Sequence, residues 1–168
     1  MDLKEQLAAM EKRVARLEAV EGMRDTIVRY ARAVDTKDWA EIDAIYTDDA
    51  VIDNQWRSET YAGKEAILNF FKRHRATFEF TRRISNVNER ITVEGKNGVV
   101  ITSALALIGY NGESYILLGD YEWHMRPEKN MWRIFKFVIY SSMMMTLERG
   151  WGKEADRQPP PAPPLKRV

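Results

Sequence analysis

The sequence predicts an α+β domain, a cone-shaped curved antiparallel sheet packed on three to four N-terminal helices. Three observations carry this. Apolar residues in the first part of the chain recur at helical spacings of three and four. From Phe78 onward the period changes to two, the mark of strands with one buried face. The stretches of alternation are separated by "EGKNG", "NGE" and "RPEKN", which carry Gly, Asn or Pro where turns need them. Helices grouped ahead of antiparallel strands make the α+β class, and a long sheet curved over helices encloses a conical apolar cavity.

The first helix carries Leu3, Leu7, Met10, Val14 and Leu17, a short heptad-like stripe that suits its own domain or a neighbouring subunit. Gly22 is expected to loosen the chain. A second helix then runs to about Val34, with Ile27, Tyr30, Ala31 and Val34 facing inward. A third helix opens at Asp38 as N-cap, with Glu41 at capping-box spacing and Trp39, Ile42 and Ile45 or Tyr46 buried. "AVIDNQW" (Ala50–Trp56) reads as a short strand, and "YAG" leads into the helix "KEAILNFFKRHR", whose apolar face is Ile67, Phe70 and Phe71. Four strands follow, at about Phe80–Val93, Gly98–Tyr110, Ser114–Arg126 and Met131–Met145. Residues 1–20 thus form a helix at a candidate oligomer interface and 21–150 the main domain. Residues 151–168, with "QPPPAPPLKRV", read as an extended Pro-rich tail.

Composition narrows the function. The chain has 168 residues, 45% hydrophobic and 30% charged, enough for one domain with a real core. A net charge of +1 gives no support for nucleic acid or an anionic membrane as partner. With no cysteine there is no disulfide, thiolate nucleophile or thiolate metal site. Two histidines, His74 and His124, lie outside any metal-ligand spacing, so no metal is expected. Neither GxGxxG nor GxxxxGK[ST] is present, and a nucleotide cofactor has no support. The charged N-terminal helix is unlike a signal peptide, which leaves the cytoplasm as the expected location.

From about Leu17 to Met145 the chain resembles the SnoaL-like branch of the nuclear-transport-factor-2-like superfamily. The residues that carry the resemblance are "YARAVDTKDWAEIDAIYTDDAVID", "GKEAILNFF" and "NMWRIFKF", and "VDTKDW" is its most specific part. The resemblance implies a cystatin-type α+β barrel, usually dimeric or trimeric, with a buried pocket and no cofactor. It implies relatives that include scytalone and bile-acid dehydratases, a dehydrochlorinase, polyketide cyclases and a lyase acting on lignin-derived diarylpropanes. It also matches Asp35 to the acid of an Asp–His pair and Tyr30 to a tyrosine that precedes that acid.

Local chemistry points to Asp35 independently. An aspartate near a helix C-terminus opposes the dipole, a conflict that suits a functional residue. In an apolar pocket its pKa would rise into a range useful for proton transfer. The alternative is an aspartate that hydrogen-bonds the following turn. Tyr30 lies about 140° away around an ideal helix, so the two share a face only if the helix ends or bends between them. The family histidine is missing, because "FTRRISNVNERITV" puts Arg82 and Arg83 in its place. Neither His74, among cations, nor His124, in phase with Asp120, Glu122 and Arg126, replaces it.

Strand phase turns Arg83 inward and Arg82 outward. A bulge would swap them, and Glu89 already spoils the alternation. An inward arginine cannot be a base but can hold an oxyanion. Otherwise Arg83 pairs with Glu89 or Asp53. Tyr46 joins Tyr30 as a residue that could position or protonate a leaving group. Asp53, Asn54, Trp56, Asn88, Tyr121, Trp123 and Tyr140 are candidate substrate contacts, and Asp120 a further polar candidate. With Phe135, Phe137 and Met143–Met145, the aromatic members suit a planar aromatic guest. The expected function is therefore a cofactor-independent lyase on a hydrophobic phenolic alcohol, removing water or also formaldehyde from a diarylpropane-type substrate. The partners expected are a small aromatic substrate and other copies of the chain, as dimer or trimer. An isomerase or polyketide-cyclase-like enzyme, and a non-catalytic binding or accessory subunit, are the alternatives.

Overall fold

The computed structural model describes residues 2–78, 80–150 and 152, and for 80–82 and 141–142 the backbone only. The extended tail read at 151–168 lies outside the described residues apart from position 152. Three helices pack on a curved, open six-stranded sheet. In chain order the elements are α1 (Leu3–Thr36), α2 (Trp39–Ile45), β1 (Tyr46–Asn54), β2 (Glu59–Ala62), α3 (Lys64–Thr77), β3 (Phe80–Glu94), β4 (Asn97–Tyr110), β5 (Glu113–Glu128) and β6 (Met131–Thr146). The strand order is β2-β1-β6-β5-β4-β3. All neighbours are antiparallel except β1 and β6, which run parallel, so the sheet is mixed rather than purely antiparallel.

The expected break at Gly22 does not occur, and α1 is one continuous helix. Gly22 serves a close approach instead. A Cβ there would lie 2.6 Å from Cδ1 of Trp132, and one on Gly98 would lie 2.2 Å from Sδ of Met23. The helix thus rests almost directly on the end of the sheet. It begins with a capping box, Asp2 accepting from the Glu5 amide while the Glu5 carboxylate accepts from the Asp2 amide. It ends at Lys37 in the left-handed region (φ 61°), where the amides of Lys37 and Asp38 both donate to the Ala33 carbonyl.

Asp38 caps α2 as expected, accepting from the Glu41 amide at 3.0 Å. Glu41 does not complete the box, because its carboxylate pairs with Arg29 on α1. β1 starts at Tyr46, four residues earlier than expected, and the short β2 has no counterpart in the sequence reading. The junction of α2 and β1 is tied by Arg133, 2% exposed, which donates to the carbonyls of Ala44, Asp43 and Tyr46 and pairs with Glu128. A buried guanidinium is tolerated only when its donors are satisfied in this way.

The core lies between the helices and the concave face of the sheet. Trp123 and Phe137, directly opposite on β5 and β6, stack at 4.0 Å with an interplanar angle of 8°. The Trp123 indole donates to the Thr102 hydroxyl at 3.2 Å. Among the described residues no helix is long and apolar enough to cross a membrane.

Candidate active site

A narrow pocket opens between α1, α3 and the concave sheet. Val34, Phe70, Phe71, Ile84, Ala106, Ile108, Leu117 and Ile139 give it apolar walls. Tyr30, Asn54, Trp56, His74 and Tyr121 are the members of its lining that carry polar groups. A few polar groups on an apolar surface suit a hydrophobic guest whose orientation is fixed by one or two hydrogen bonds.

Tyr30 comes from the buried face of α1. Its ring lies edge-on to Trp123 at 4.7 Å and to Phe137 at 5.5 Å. Burial, then the nearby Tyr121, Tyr46 and Asp35, hold its phenol well above the usual tyrosine pKa. Burial pushes Tyr121 up to about 12. Both phenols therefore stay protonated at any ordinary pH and act as hydrogen-bond donors. Asn54, 2% exposed at the end of β1, accepts from the Arg57 amide at 3.3 Å.

Asp35 stands at the shoulder of the pocket rather than on its wall. α1 does not bend between Tyr30 and Asp35, so the two point in different directions, as helical geometry requires. Asp35 Oδ1 accepts from the Ile84 amide of β3 at 3.1 Å. Its second oxygen takes no hydrogen bond from any described residue. Val34 and Ile84, on either side of this link, both line the pocket. Burial raises the carboxyl above its ordinary pKa, opposed in turn by the Ile84 amide, Arg83 and Arg75.

The two arginines need correction. The β3 register shifts between Thr81 and Arg83, which pair with Ile108 and Leu107, so Arg82 is the extra residue of a bulge. Residues 83–87 then pair without interruption, so Arg83 shares the outer face with exposed Val87 while Ile84 turns into the pocket, and the second shift, between Val87 and Arg90, is what reverses the phase set by Ile91 and Val93. Arg83 reaches Asp35 only through its charge. The Arg82 side chain lies outside the described residues. Glu89, at a second register shift of β3, pairs with Arg24 and not with Arg83.

Other candidates fall away from the pocket. Tyr46 is fully buried behind the wall beside Phe71, and its hydroxyl has no hydrogen-bond partner among the described residues. Asp53, half-buried near the end of β1 and outside the pocket lining, accepts from Gln55 at 2.7 Å. Asn88 sits exposed in a β3 bulge with φ 56°, and Tyr140 is 42% exposed. Asp120 accepts from Ser103 at 3.2 Å in an exposed position. Trp123 does not reach the cavity but backs Tyr30 and Tyr121. Phe135, displaced by a register shift opposite His124 and Met125, lies beside His124 on the outer face. His124 pairs with Glu122 there at 2.5 Å. Met143–Met145 do not line the pocket, although Met144 and Met145 are buried.

His74 is the residue that sequence reasoning missed. Its ring lies 4.4 Å from that of Phe78 and 5.8 Å from that of Phe70. Burial, with Arg57 and Arg75 nearby, lowers its pKa to about 3 and keeps the imidazole neutral. The signal was present, since Ile67, Phe70, Phe71 and His74 follow one another at i, i+3, i+4 and i+7. The charge of Arg75 bears on both Asp35 and His74. Among the described residues no group of three His, Asp or Glu side chains is placed to hold a metal.

Solved structures share this architecture. A hexachlorocyclohexane dehydrochlorinase, LinA type 2, is 18% identical with a TM-score of 0.74, over 80% of this chain and 92% of its own. A Novosphingobium aromaticivorans protein provisionally assigned as a scytalone dehydratase is 18% identical with a TM-score of 0.70, over 95% and 99%. An NTF2-like protein with a cystatin-like fold from the same organism is 21% identical with a TM-score of 0.67, over 93% and 95%. At these identities the likeness is one of fold. No curated protein matches the chain. The model of the SnoaL-like domain matches residues 15–138, which take in Tyr30, Asp35, His74 and all the pocket walls but one residue, and the chain belongs to the SnoaL-like family.

Proposed function

We propose that the protein is a cofactor-independent lyase that removes water, with or without a one-carbon fragment, from a hydrophobic phenolic alcohol. The observation that carries this reading is the Asp35 carboxylate, raised in pKa and anchored by one oxygen at the shoulder of an apolar, aromatic-walled pocket. SnoaL-like relatives include dehydratases and dehydrochlorinases, which supports an acid–base enzyme without deciding its substrate.

In a p-hydroxybenzylic alcohol, Asp35 takes the phenolic proton. Electron density then flows through the ring, the benzylic C–O bond breaks, and the departing hydroxide recovers, through solvent, the proton that Asp35 accepted, so that a quinone methide and water result and the carboxylate is restored. The departing oxygen is met by donors that cannot ionise, the phenols of Tyr30 and Tyr121. Neutral His74 and Asn54 orient the polar end of the guest. The oxyanion role expected of Arg83 passes to these phenols, because Arg83 faces away from the cavity.

The test is turnover of a panel of 4-hydroxyphenyl carbinols, followed by absorbance of the dehydrated product and by formaldehyde release. The wild-type chain is expected to release water or formaldehyde, and Asp35→Asn is expected to lose that activity. Isomerised or cyclised product, or an Asp35→Asn variant at full rate, would overturn the reading.

A further inference from the structure

Helix α1 carries two apolar stripes, and they point in opposite directions. In its C-terminal half Ala19, Met23, Ile27, Tyr30 and Val34 are buried against the sheet. In its N-terminal half Leu3 (81% exposed), Leu7, Met10, Val14 and Leu17 are all open to solvent. At 3.6 residues per turn the mean directions of the two stripes differ by about 180°. The side of the N-terminal half that faces the domain is instead Lys12, Ala15 and Arg16, which share a groove with Ile91, Val93 and Trp132. The exposed stripe therefore cannot reach its own sheet by any bending of the helix toward it. No described residue covers it.

The geometry points to a second copy of this chain as the occupant, joined as a parallel two-stranded coiled coil over residues 3–18. Leu7 and Val14 take the a positions, and Leu3, Met10 and Leu17 the d positions. A β-branched residue at a with leucine at d favours two strands. The flanking charges choose both partner and direction. Arg13 is at g and Glu18 at the following e, so in a parallel pair each Arg13 meets the other copy's Glu18, twice by symmetry. In the antiparallel register that packs Met10 against Val14 and Leu7 against Leu17, Arg13 would face Arg13 and Glu11 would face Glu11. The same two residues are five apart within one helix and cannot pair with each other there. A parallel coil leaves the two domains side by side at its C-terminal end, with Tyr30 and Asp35 of each untouched. The inference is independent of the proposed reaction.

The test is sedimentation equilibrium of the full chain at tens of micromolar. The wild type is expected to be a dimer, and Leu7→Glu with Val14→Glu a monomer that still unfolds cooperatively, at a melting temperature that no longer depends on protein concentration. Arg13→Glu is expected to weaken the dimer roughly tenfold, and adding Glu18→Arg to restore it. Because the chain has no cysteine, Leu17→Cys alone should oxidise to a covalent dimer. A monomeric wild type, an oligomer that survives the double glutamate variant, or tighter association of Arg13→Glu would overturn the proposal. So would a wild type held together only by a different protein.

Discussion

The two halves of α1 are built from similar residues and do opposite things. Residues 19–36 bury an apolar face on the sheet and bring Tyr30 to the pocket wall and Asp35 to its shoulder, while residues 3–18 expose their apolar stripe. Apolar content alone does not distinguish them. What distinguishes them is phase, because one stripe points at the sheet and the other about 180° away. A helix continuous through both anchors one end on the sheet and leaves the apolar stripe of the other end open to solvent.

Four perturbations break or sharpen this contrast. The largest is Trp123→Ala, which empties the core behind Tyr30 and the docked half of the helix. It should cost about 3–5 kcal/mol in urea unfolding. Next is Gly22→Ala. Helix propensity alone predicts a gain of about 1 kcal/mol. The rigid indole of Trp132, 2.6 Å from the new methyl, reverses the sign to a loss of about 1–2 kcal/mol.

His74 gives a smaller, pH-dependent effect. Its folded pKa of about 3 lies below the free value near 6.5. As pH falls through that window the unfolded chain takes a proton that the native state refuses, so stability is lost on acidification. His74→Phe, which fits between Phe70 and Phe78, should lose less stability between pH 7 and about pH 4.5 than the wild type does. The smallest effect belongs to the free half of α1. Leu7→Glu should change unfolding stability by no more than about 0.5 kcal/mol when measured on dilute monomer.

Much of the fold was legible because it rests on periodicity. The alternation of Tyr121, Trp123 and Met125 against Glu122, His124 and Arg126 placed the faces of β5 correctly, and Asp38 announced the start of α2. The parts that were not legible depend on close contact or on irregularity. Gly22 looked like a helix break because the nearness of Trp132 has no local signature. The bulges that turn Arg83 out and displace Phe135 shift the phase by one residue, which a period of two cannot reveal. The four-residue β2 is too short to show alternation at all. The conflict with the helix dipole singles out Asp35 in the sequence, while the Ile84 amide that its carboxylate accepts from is a backbone group that no side-chain pattern encodes.

The most direct test is the activity of Asp35→Asn on the 4-hydroxyphenyl carbinol panel, measured beside its melting temperature. The asparagine oxygen can still accept from the Ile84 amide, so the fold should hold. Catalysis should fall by about 10²–10⁴-fold in kcat/KM because the proton acceptor is gone. A folded Asp35→Asn variant that turns over its substrate at the wild-type rate would contradict the account.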